Sequence, residues 1–259
     1  MIQPTAWPAE TVWEQVYPLL PDFTVEVLPE IDSSNSELMR RARAGHHEAT
    51  LLVAERQTAG RGRMGRVWQS QPGDSLTFSI SLSIAPKNWS GLSLAVGLSL
   101  AEHLHPGVRL KWPNDLWWQD RKLGGILVEA ASMGGRSQVV VGVGLNIRPR
   151  AADGLNTAPA ALTELWPDLT APDCLARVAW PLIEALLAFA REGFAPLQAR
   201  FESRDVLKDR RVHTSDGLVG VSLGVSPSGA LRLQTEAGVQ EVHSAEISVR
   251  PLPTQAPAS

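Results

Sequence analysis

The segment at residues 60–70, Gly-Arg-Gly-Arg-Met-Gly-Arg-Val-Trp-Gln-Ser, constrains the fold more than any other part of the chain. It follows a compact apolar run at residues 51–54 and contains the Gly-x-Gly-x-x-Gly spacing of dinucleotide-binding proteins. That fingerprint requires a helix to begin at the glycines, so that the helix N-terminus faces a pyrophosphate. Here residues 67–74, Val-Trp-Gln-Ser-Gln-Pro-Gly-Asp, follow instead and cannot continue as a helix. The sequence therefore excludes a doubly wound dinucleotide-binding fold at this point.

The same eleven residues hold three glycines, three arginines and a tryptophan. Glycine allows backbone N–H groups to approach a ligand, and arginine offers a planar charged fork that suits phosphate or carboxylate. The alternative is a solvated basic surface loop. A second segment favours the ligand-binding interpretation, because Lys-Trp-Pro-Asn-Asp at 111–115 is followed by Arg-Lys-Leu-Gly-Gly-Ile-Leu at 121–127. The Gly-Lys-Ser/Thr phosphate loop is absent, since no lysine follows a glycine.

Length and charge limit the class of protein. A chain of 259 residues can form one large domain, or a large domain with a small one. The net charge of −3 argues against general nucleic-acid binding, and Cys174, the one cysteine, cannot form an intrachain disulfide. We see no signal-peptide pattern and no apolar run that could cross a bilayer. These features predict a cytoplasmic protein with neither a nucleic-acid partner nor a membrane partner.

Hydrophobic periodicity predicts an alternation of helices and strands through the first two thirds of the chain. Ser34 and Glu37 have the spacing of a capping box, with Ser34 as the helix cap. The alternating strand at 75–83 is predicted to be half-buried. Predicted helices cover residues 9–20, 34–44, 92–104, 175–191 with a disturbance at Pro181, and 196–203. Predicted strands cover residues 23–28, 51–54, 75–83, 108–112, a hairpin at 117–122 with its return strand at 123–130, and 138–147.

The character of the chain changes after Asp205. Short β-like runs at 211–214, 218–225, 230–234, 239–243 and 247–250 alternate with turn signals, which predicts a small barrel. We therefore predict a main domain at 1–204, a barrel at 205–252 and a disordered tail at 253–259. The loops at 60–71 and 149–161 are expected to be mobile and to become ordered when a ligand binds.

Six segments together resemble the biotin protein ligases, in the order found in that family. They are residues 31–35, residues 54–59 leading into the glycine–arginine loop (residues 60–70), and residues 111–115, 121–127, 142–146 and 246–250. The resemblance implies an α+β fold: a catalytic domain like those of class II synthetases, with a mainly antiparallel mixed sheet, and a C-terminal SH3-like barrel. Larger members carry an N-terminal DNA-binding domain. The motif that begins near Asp32 leaves no room for one, so we expect the short form without repressor function.

The resemblance also implies a reaction and its partners. Biotin and ATP with Mg²⁺ would give biotinyl-5′-AMP, and biotin would then pass to a lysine of a biotin carboxyl carrier protein. No fixed metal site is implied, although Mg²⁺ would arrive with ATP near Asp115. Whether the enzyme is a monomer or a homodimer stays open at this stage.

By the same resemblance, the biotin site is built from polar, cationic and glycine residues. The implied biotin-binding residues are Ser33, Ser34, Asn35, Gln57, Gly60, Arg61, Arg63, Lys122, Gly124 and Gly125. The serines and Gln57 would supply donors and acceptors for the ureido ring. The alternatives are helix capping for the serines and an ordinary surface loop for Gln57.

The implied adenylate site overlaps with the biotin site. Its residues are Arg61, Arg63, Arg66, Trp68, Asn114, Asp115, Lys122 and Asn146, with Lys122 and Arg63 as the catalytic pair. Trp68 could stack on adenine or pack on the core, and Asn114 with Asp115 could simply form a turn. Lys122 could be a solvated hairpin lysine. Lys111 stays open between a catalytic and a structural role.

Two other functions compete with this interpretation. A lipoate ligase or octanoyl transferase would share the fold and a catalytic lysine but would lack the Gly-Arg-Gly-Arg loop and Lys-Trp-Pro-Asn-Asp. A binding module without enzymatic activity should have lost Lys122 or the arginines, and this chain retains them. Both comparisons favour a biotin ligase.

Overall fold

A computed structural model describes residues 5–133, 136–152, 157–243 and 247–252. Its helices are α1 (Ala9–Val16), α2 (Ser34–Arg43), α3 (Leu92–Leu104), α4 (Ala171–Glu192) and α5 (Gln198–Glu202). Short 3-10 turns lie at Arg63–Gly65, Leu162–Glu164 and Ala195–Leu197. The strands of the large sheet are β1 (Thr24–Ile31), β2 (Thr50–Gln57), β3 (Ser75–Ser83), β4 (Arg109–Lys111), β5 (Asp115–Trp118), β6 (Arg121–Met133) and β7 (Arg136–Asn146).

The large sheet is mixed and mainly antiparallel, which confirms the predicted fold class. Its strand order is β1-β2-β3-β7-β6-β5-β4. Only β1 and β2 pair in parallel, and the remaining neighbours in this order are antiparallel. The long β6–β7 hairpin therefore lies beside β3 in the middle of the sheet, where both faces can be covered.

Side-chain alternation gives the large sheet two different faces. Val141 points to one face and belongs to the main hydrophobic core, which also includes buried residues of α3 and α4. Leu52 and Val140 point to the opposite face, where they pack with Leu38 and Met39 of α2. Because α2 covers only part of that second face, the sheet beside it is available for a ligand.

The polar side of β3 is buried, so the prediction of a half-buried strand was wrong. Ser79 is 0% exposed, and it lies opposite Gly142 in the register of β3 and β7. Its hydroxyl lies 2.7 Å from Asn35 Oδ1 and 2.8 Å from Ser34 Oγ, both on α2. Ser81 Oγ likewise accepts from Gln138 Nε2 at 2.8 Å, although Thr77 Oγ1 is buried without a partner in the part of the chain that the structure describes. Partners from other elements allow most of a polar face to be buried, which alternation alone does not reveal.

The cap of α2 is one residue earlier than predicted. Ser33 is the N-cap, with extended φ and ψ of −159° and 128°, and its side chain accepts from Ser36 N at 3.3 Å. The predicted capping box on Ser34 was therefore wrong. Glu37 instead binds Arg40 and Arg41 through its carboxylate. Since Ser33 performs the capping, the hydroxyl of Ser34 is directed elsewhere, towards Ser79 and Gln57.

Helix α4 begins four residues before the predicted start at 175 and continues through Pro181. Thr170 caps it: Thr170 Oγ1 accepts from Asp173 N at 3.2 Å, and Asp173 Oδ2 accepts from Thr170 N at 3.3 Å. These two bonds form a capping box. No helix in the described ranges, α4 included, is both long and apolar enough to cross a bilayer.

The hairpin that carries Lys122 is confirmed. Gln119 and Asp120 both have positive φ, 48° and 56°, and join β5 to β6. Two central residues with positive φ are the geometry of a type I′ turn, whose twist matches that of paired strands. Lys122 consequently lies opposite Trp117 in a paired strand rather than in a free loop.

The C-terminal region forms the five predicted short strands. They are β8 (Arg211–Thr214), β9 (Val219–Val225), β10 (Leu231–Thr235), β11 (Gly238–Val242) and β12 (Val249–Pro251). They form an antiparallel sheet in the order β11-β10-β9-β8-β12. Closure of this sheet into an SH3-like barrel stays a prediction. Glu246 and the predicted tail at 253–259 lie outside the described residues.

The two sheets contact each other around β4. Leu110 N donates to Arg204 O at 2.9 Å, and Val206 N donates to Leu110 O at 2.9 Å. The buried Trp112 donates from Nε1 to Gly229 O at 3.0 Å. These bonds join the end of the large sheet to the C-terminal region, while the boundary at residues 204 and 205 stays a prediction.

Asp205, at this junction, should make stability depend on pH. Its Oδ1 accepts from Leu207 N at 2.9 Å, while Oδ2 is buried and has no hydrogen-bond partner among the described residues. Burial raises the pKa of Asp205 from 3.8 to about 6. The folded state therefore binds the proton more tightly than the unfolded chain. Stability should fall as pH rises from about 4 to about 6, by about 2–3 kcal/mol in all.

Asp205→Asn should remove this contribution, since the amide oxygen can still accept from Leu207. We expect the variant to gain stability over the parent progressively between pH 4 and pH 7 in urea unfolding. The exposed Asp22→Asn is the matched control and should show a constant difference. An Asp205→Asn difference that is equally independent of pH would contradict the assignment.

Candidate active site

A cavity of about 760 Å³ lies between the α2-covered face of the large sheet and the glycine–arginine loop. The volume is within the range of small-molecule sites. Its walls come from the start of α2, the loop, the β5–β6 hairpin and the C-terminal strand β12. Segments far apart in sequence therefore meet around one space.

The floor of the cavity is made of glycines on adjacent strands. Gly142 and Gly144 of β7 lie opposite Leu127 and Gly125 of β6. A Cβ atom at Gly142 would lie 2.2 Å from Asn35 Oδ1, and one at Gly144 would lie 2.4 Å from the Trp68 ring. Neither position can accept a side chain without displacing these neighbours. The spacing of the two glycines was visible in the sequence, but their role as a floor was not predicted.

One end of the cavity is lined by a cluster of neutral polar groups. Gln57 Oε1 accepts from Ser34 N at 2.7 Å and lies 3.1 Å from Ser34 Oγ. Asn35 Oδ1 accepts from Ser79 Oγ at 2.7 Å. Sequence reasoning missed Ser79, although the Ser/Thr alternation of β3 was a usable signal. The cluster offers both donors and acceptors at fixed positions.

The opposite end of the cavity is cationic. Lys122 Nζ lies 2.6 Å from Asp115 Oδ1, and Lys111 Nζ lies 4.0 Å from Asp115 Oδ2. Burial lowers the pKa of Lys111 from 10.5 to about 8, and Lys111 Nζ lies 5.2 Å from the centre of the Trp117 ring. Two ammonium groups thus share one carboxylate, which leaves a net positive charge for an anionic ligand.

The backbone of Lys122 is fixed by residues 158 and 160, which lie at the end of the loop predicted at 149–161. Lys122 N donates to Ala158 O at 2.9 Å, and Ala160 N donates to Lys122 O at 2.8 Å. Asn146 Nδ2 donates to Lys122 O at 3.2 Å and to Ala160 O at 2.9 Å. Asn146 is buried behind Lys122 and outside the cavity lining, and its Oδ1 has no hydrogen-bond partner among the described residues. Its contact with the adenylate stays a prediction. Residues 153–156 of the predicted mobile loop lie outside the described residues.

The loop arginines lie on different sides of the opening. Arg61 Nη2 donates to Glu129 at 2.9 Å, whereas Arg63 donates to Asn114 Oδ1 at 3.3 Å and to Ile247 O at 3.4 Å. Burial lowers the pKa of Arg63, although Asp115 opposes the shift. The loop itself is closed by Gly62 N donating to Arg66 O at 2.7 Å.

Trp68 lies over the glycine floor. Its ring occupies the space above Gly144, and the guanidinium of Arg150 lies 5.3 Å from the ring centre. Trp68 Nε1 is buried and has no hydrogen-bond partner in the described ranges. Arg150 also lines the cavity and was not predicted. This tryptophan is therefore enclosed within the site rather than packed into the hydrophobic core.

Most of the predicted residues do meet at this cavity. Those that line it are Ser33, Ser34, Asn35, Gln57, Arg61, Arg63, Arg66, Trp68, Asn114, Asp115, Lys122 and Gly125. Gly60, Gly124 and Asn146 do not line it. A Cβ atom at Gly60 would lie 2.2 Å from Trp68 O, and one at Gly124 would lie 2.6 Å from Leu145 Cδ2. These two glycines therefore serve close backbone packing.

The C-terminal strand completes the wall. Val249, Arg250 and Pro251 of β12 line the cavity near Lys111 and Arg63. Arg250 was part of the motif at 246–250 but was not predicted as a site residue. In the described ranges, no group of three or more His, Cys, Asp and Glu side chains is placed to hold a metal ion.

A glycine floor with a neutral polar end and a cationic end defines a site for an elongated ligand with a polar head and an anionic tail. The description Biotin/lipoate A/B protein ligase family matches residues 28–146, and Biotin protein ligase C terminal domain matches residues 211–250. The chain belongs to this family, and within it to the biotin protein ligases, which confirms the resemblance.

Several characterised relatives agree with this assignment. Bifunctional ligase/repressor BirA of Escherichia coli strain K12 is 37% identical over 92% of this chain and 77% of its own length. Biotin--[acetyl-CoA-carboxylase] ligase of Mycobacterium tuberculosis is 31% identical over 81% of this chain and 82% of its own length. The Aquifex aeolicus biotin protein ligase, solved in complex with biotin and ATP, has a TM-score of 0.76 at 31% identity. That match covers 88% of this chain and 99% of the Aquifex chain.

Proposed function

We propose that this protein activates biotin with ATP as biotinyl-5′-AMP and transfers biotin to a lysine of a carrier protein. The observation that carries the proposal is a single cavity whose polar end and cationic end are separated by a glycine floor. That arrangement suits a molecule with a ureido head, an apolar chain and a carboxylate. The solved relative with biotin and ATP supports the same pair of substrates.

We place the ureido ring at the polar end, with Ser33, Ser34, Asn35 and Gln57 around it. A ureido group has two N–H donors and one carbonyl acceptor, and the hydroxyl and amide groups there provide both counterparts. Ser79 completes this set through its bonds to α2. The glycine floor allows the bicyclic ring and its chain to lie against the backbone of β7.

In the first step, a carboxylate oxygen of biotin attacks the α-phosphorus of ATP. A new O–P bond forms while the bond to the leaving pyrophosphate breaks. Both reactants are anionic, so Lys122 and Arg63 are assigned to stabilise the charge that develops on the phosphoryl oxygens. Arg61 and Arg66 reduce the repulsion as the substrates approach.

In the second step, the amine of the carrier lysine attacks the acyl carbon. The bond to the phosphate oxygen breaks, AMP leaves, the attacking nitrogen loses a proton, and an amide forms. The partner is therefore a biotin-accepting carboxylase subunit. Its particular identity and a possible homodimer stay predictions, and the use of ATP favours the cytoplasm.

The adenine is assigned to Trp68, whose ring lies over Gly144 and whose Nε1 has no hydrogen-bond partner within the described part of the chain. Asn114 and Asp115 are assigned to the nucleotide phosphates. Mg²⁺ usually binds proteins through one or two carboxylates together with phosphate oxygens. Asp115 at the cationic end fits that donor set, and Mg²⁺ bound there would neutralise the triphosphate.

A lipoate or octanoyl ligase is the second candidate, because the first family description includes lipoate ligases. The match of residues 211–250 to the C-terminal domain of biotin protein ligases favours biotin. A lipoyl or octanoyl chain also lacks the ureido group that the neutral polar end would bind.

The decisive experiment mixes the protein with Mg²⁺, ATP and labelled biotin. We expect labelled acyl-adenylate and pyrophosphate in single-turnover conditions, and amide-linked label on an added biotin carboxyl carrier domain. Lipoate and octanoate serve as competing substrates. Product from either acid in preference to biotin would assign the chain to the other branch of its family.

A further inference from the structure

Glu129 lies on β6 beside the site but was not among the predicted site residues. Its side chain is 22% exposed and points to the same face of the sheet as Leu127. The two carboxylate oxygens have different partners: Oε2 accepts from Asn35 Nδ2 at 2.9 Å, and Oε1 accepts from Arg61 Nη2 at 2.9 Å. One carboxylate thus joins the polar end of the cavity to the glycine–arginine loop.

The carboxylate determines how the Asn35 amide is oriented. An ionised carboxylate only accepts hydrogen bonds, so the NH₂ of Asn35 must face Glu129. Asn35 Oδ1 then faces the cavity side and accepts from Ser79 Oγ at 2.7 Å. A hydroxyl has one hydrogen, and that of Ser79 is used on Asn35, so Ser79 can only accept in its 2.8 Å contact with Ser34. The single hydrogen of Ser34 is therefore directed to Ser79 or to Gln57 Oε1, which lies 3.1 Å away.

The result is a directed chain of hydrogen bonds in which Ser79 donates to Asn35 and Asn35 donates to Glu129. Since Ser34 uses its hydrogen on Ser79 or Gln57, its lone pairs can accept from a ligand N–H group. Reversal of the chain would turn the Ser79 hydroxyl towards Ser34 and occupy one of these lone pairs, which leaves fewer acceptors for a ureido N–H.

The second partner of Glu129 connects this chain to loop closure. Arg61 also donates to Ser36 Oγ at 3.1 Å, so its guanidinium spans β6 and α2. We propose that Glu129 is a positioning residue that sets the direction of this hydrogen-bond chain and holds the loop over the bound head group. The inference rests on the proposed function, because the head group is the ureido ring of biotin.

Glu129→Gln is the sharpest test because it preserves shape and packing. Its NH₂ must face either Asn35 or Arg61, which are both donors. In one case the Asn35 amide turns and the chain reverses, and in the other the contact with Arg61 is lost. The matched control is Glu102→Gln, since Glu102 is 23% exposed and binds Arg200 at 2.5 Å on helices α3 and α5.

Biotin affinity is measured by calorimetry without ATP, and loop protection by trypsin cleavage at the loop arginines with saturating biotin. We expect Glu129→Gln to raise the Kd for biotin about tenfold or more, from loss of hydrogen bonds to a charged group. It should leave the loop open to trypsin. Glu102→Gln should match the parent in both the Kd for biotin and the protection of the loop from trypsin.

A biotin Kd within twofold of the parent would overturn the inference, as would full protection of the loop from trypsin in Glu129→Gln with saturating biotin. If Glu129→Gln does not fold, Ser79→Ala interrupts the same chain and should show the same biotin-specific loss. Parental affinity in Ser79→Ala would then overturn the inference. Failure of the parent to bind biotin would instead refute the proposed function itself.

Discussion

Replacing Lys122 with Ala should slow formation of biotinyl-5′-AMP by about 10²–10³-fold, because removing a fixed electrostatic donor costs about 2.7–4 kcal/mol of transition-state stabilisation. Lys122 Nζ is held 2.6 Å from Asp115 Oδ1 at the cationic end of the cavity. Charge builds on the phosphoryl oxygens during the first step, so this ammonium stabilises the transition state more than the ground state.

The affinity for biotin should hardly change in Lys122→Ala, since the ureido contacts lie at the other end of the cavity. The melting temperature should also hold, because the bonds of Lys122 to residues 158 and 160 come from its backbone. Lys122→Arg should rescue only part of the rate, since a planar fork does not replace a compact ammonium.

The measurement is a single-turnover assay of adenylate formation. Lys208→Ala is the matched control, because Lys208 also binds a carboxylate, that of Glu202 at 2.8 Å, but on the surface. It should leave the rate unchanged. Equal rates for Lys122→Ala and the parent would show that Lys122 does not take part in the first step, and Lys111 would become the next candidate.

Replacing Arg63 with Gly should make the adenylate leak from the enzyme about ten- to hundred-fold faster, which corresponds to the loss of a charge-assisted contact of about 1.5–3 kcal/mol. Arg63 donates to Asn114 Oδ1 and to Ile247 O, so it links the loop to the turn between β4 and β5 and to the segment before β12. Removing the Arg63 side chain should therefore weaken both the binding of the adenylate and the closure of the loop.

The released anhydride should then modify lysines on bystander proteins less selectively. Dissociation of preformed adenylate is followed by filter binding, with Arg136→Gly, at an exposed residue that begins β7, as the control. Arg63→Lys keeps the positive charge but loses the planar guanidinium group. Its rate of adenylate dissociation should therefore lie between those of the parent and Arg63→Gly. If Arg63→Gly released the adenylate at the same rate as the parent, Arg63 would be excluded from the adenylate site.

The fold was largely predictable from the sequence because the strongest local signals are periodic. The central apolar strands, helix α3 and the Lys122 hairpin all follow from alternation, helical spacing or the need for a turn. The failures occurred where side-chain hydrogen bonds decide the outcome. Ser33 rather than Ser34 caps α2, because Ser34 has partners across the sheet that no local pattern contains.

The chemistry of the site was also visible in the sequence, since the loop arginines, Lys122 and Asp115 stand in recognisable segments. The sequence alone determined which charged and glycine residues were available and in what order.

Only the tertiary structure decided their arrangement. It placed Asn146 behind Lys122, made a floor from Gly142 and Gly144, and brought β12 into the wall. It also connected Glu129 to Asn35 and Arg61, residues 94 and 68 positions away. Such contacts depend on strand register and packing between distant segments, and these are properties of the whole folded chain.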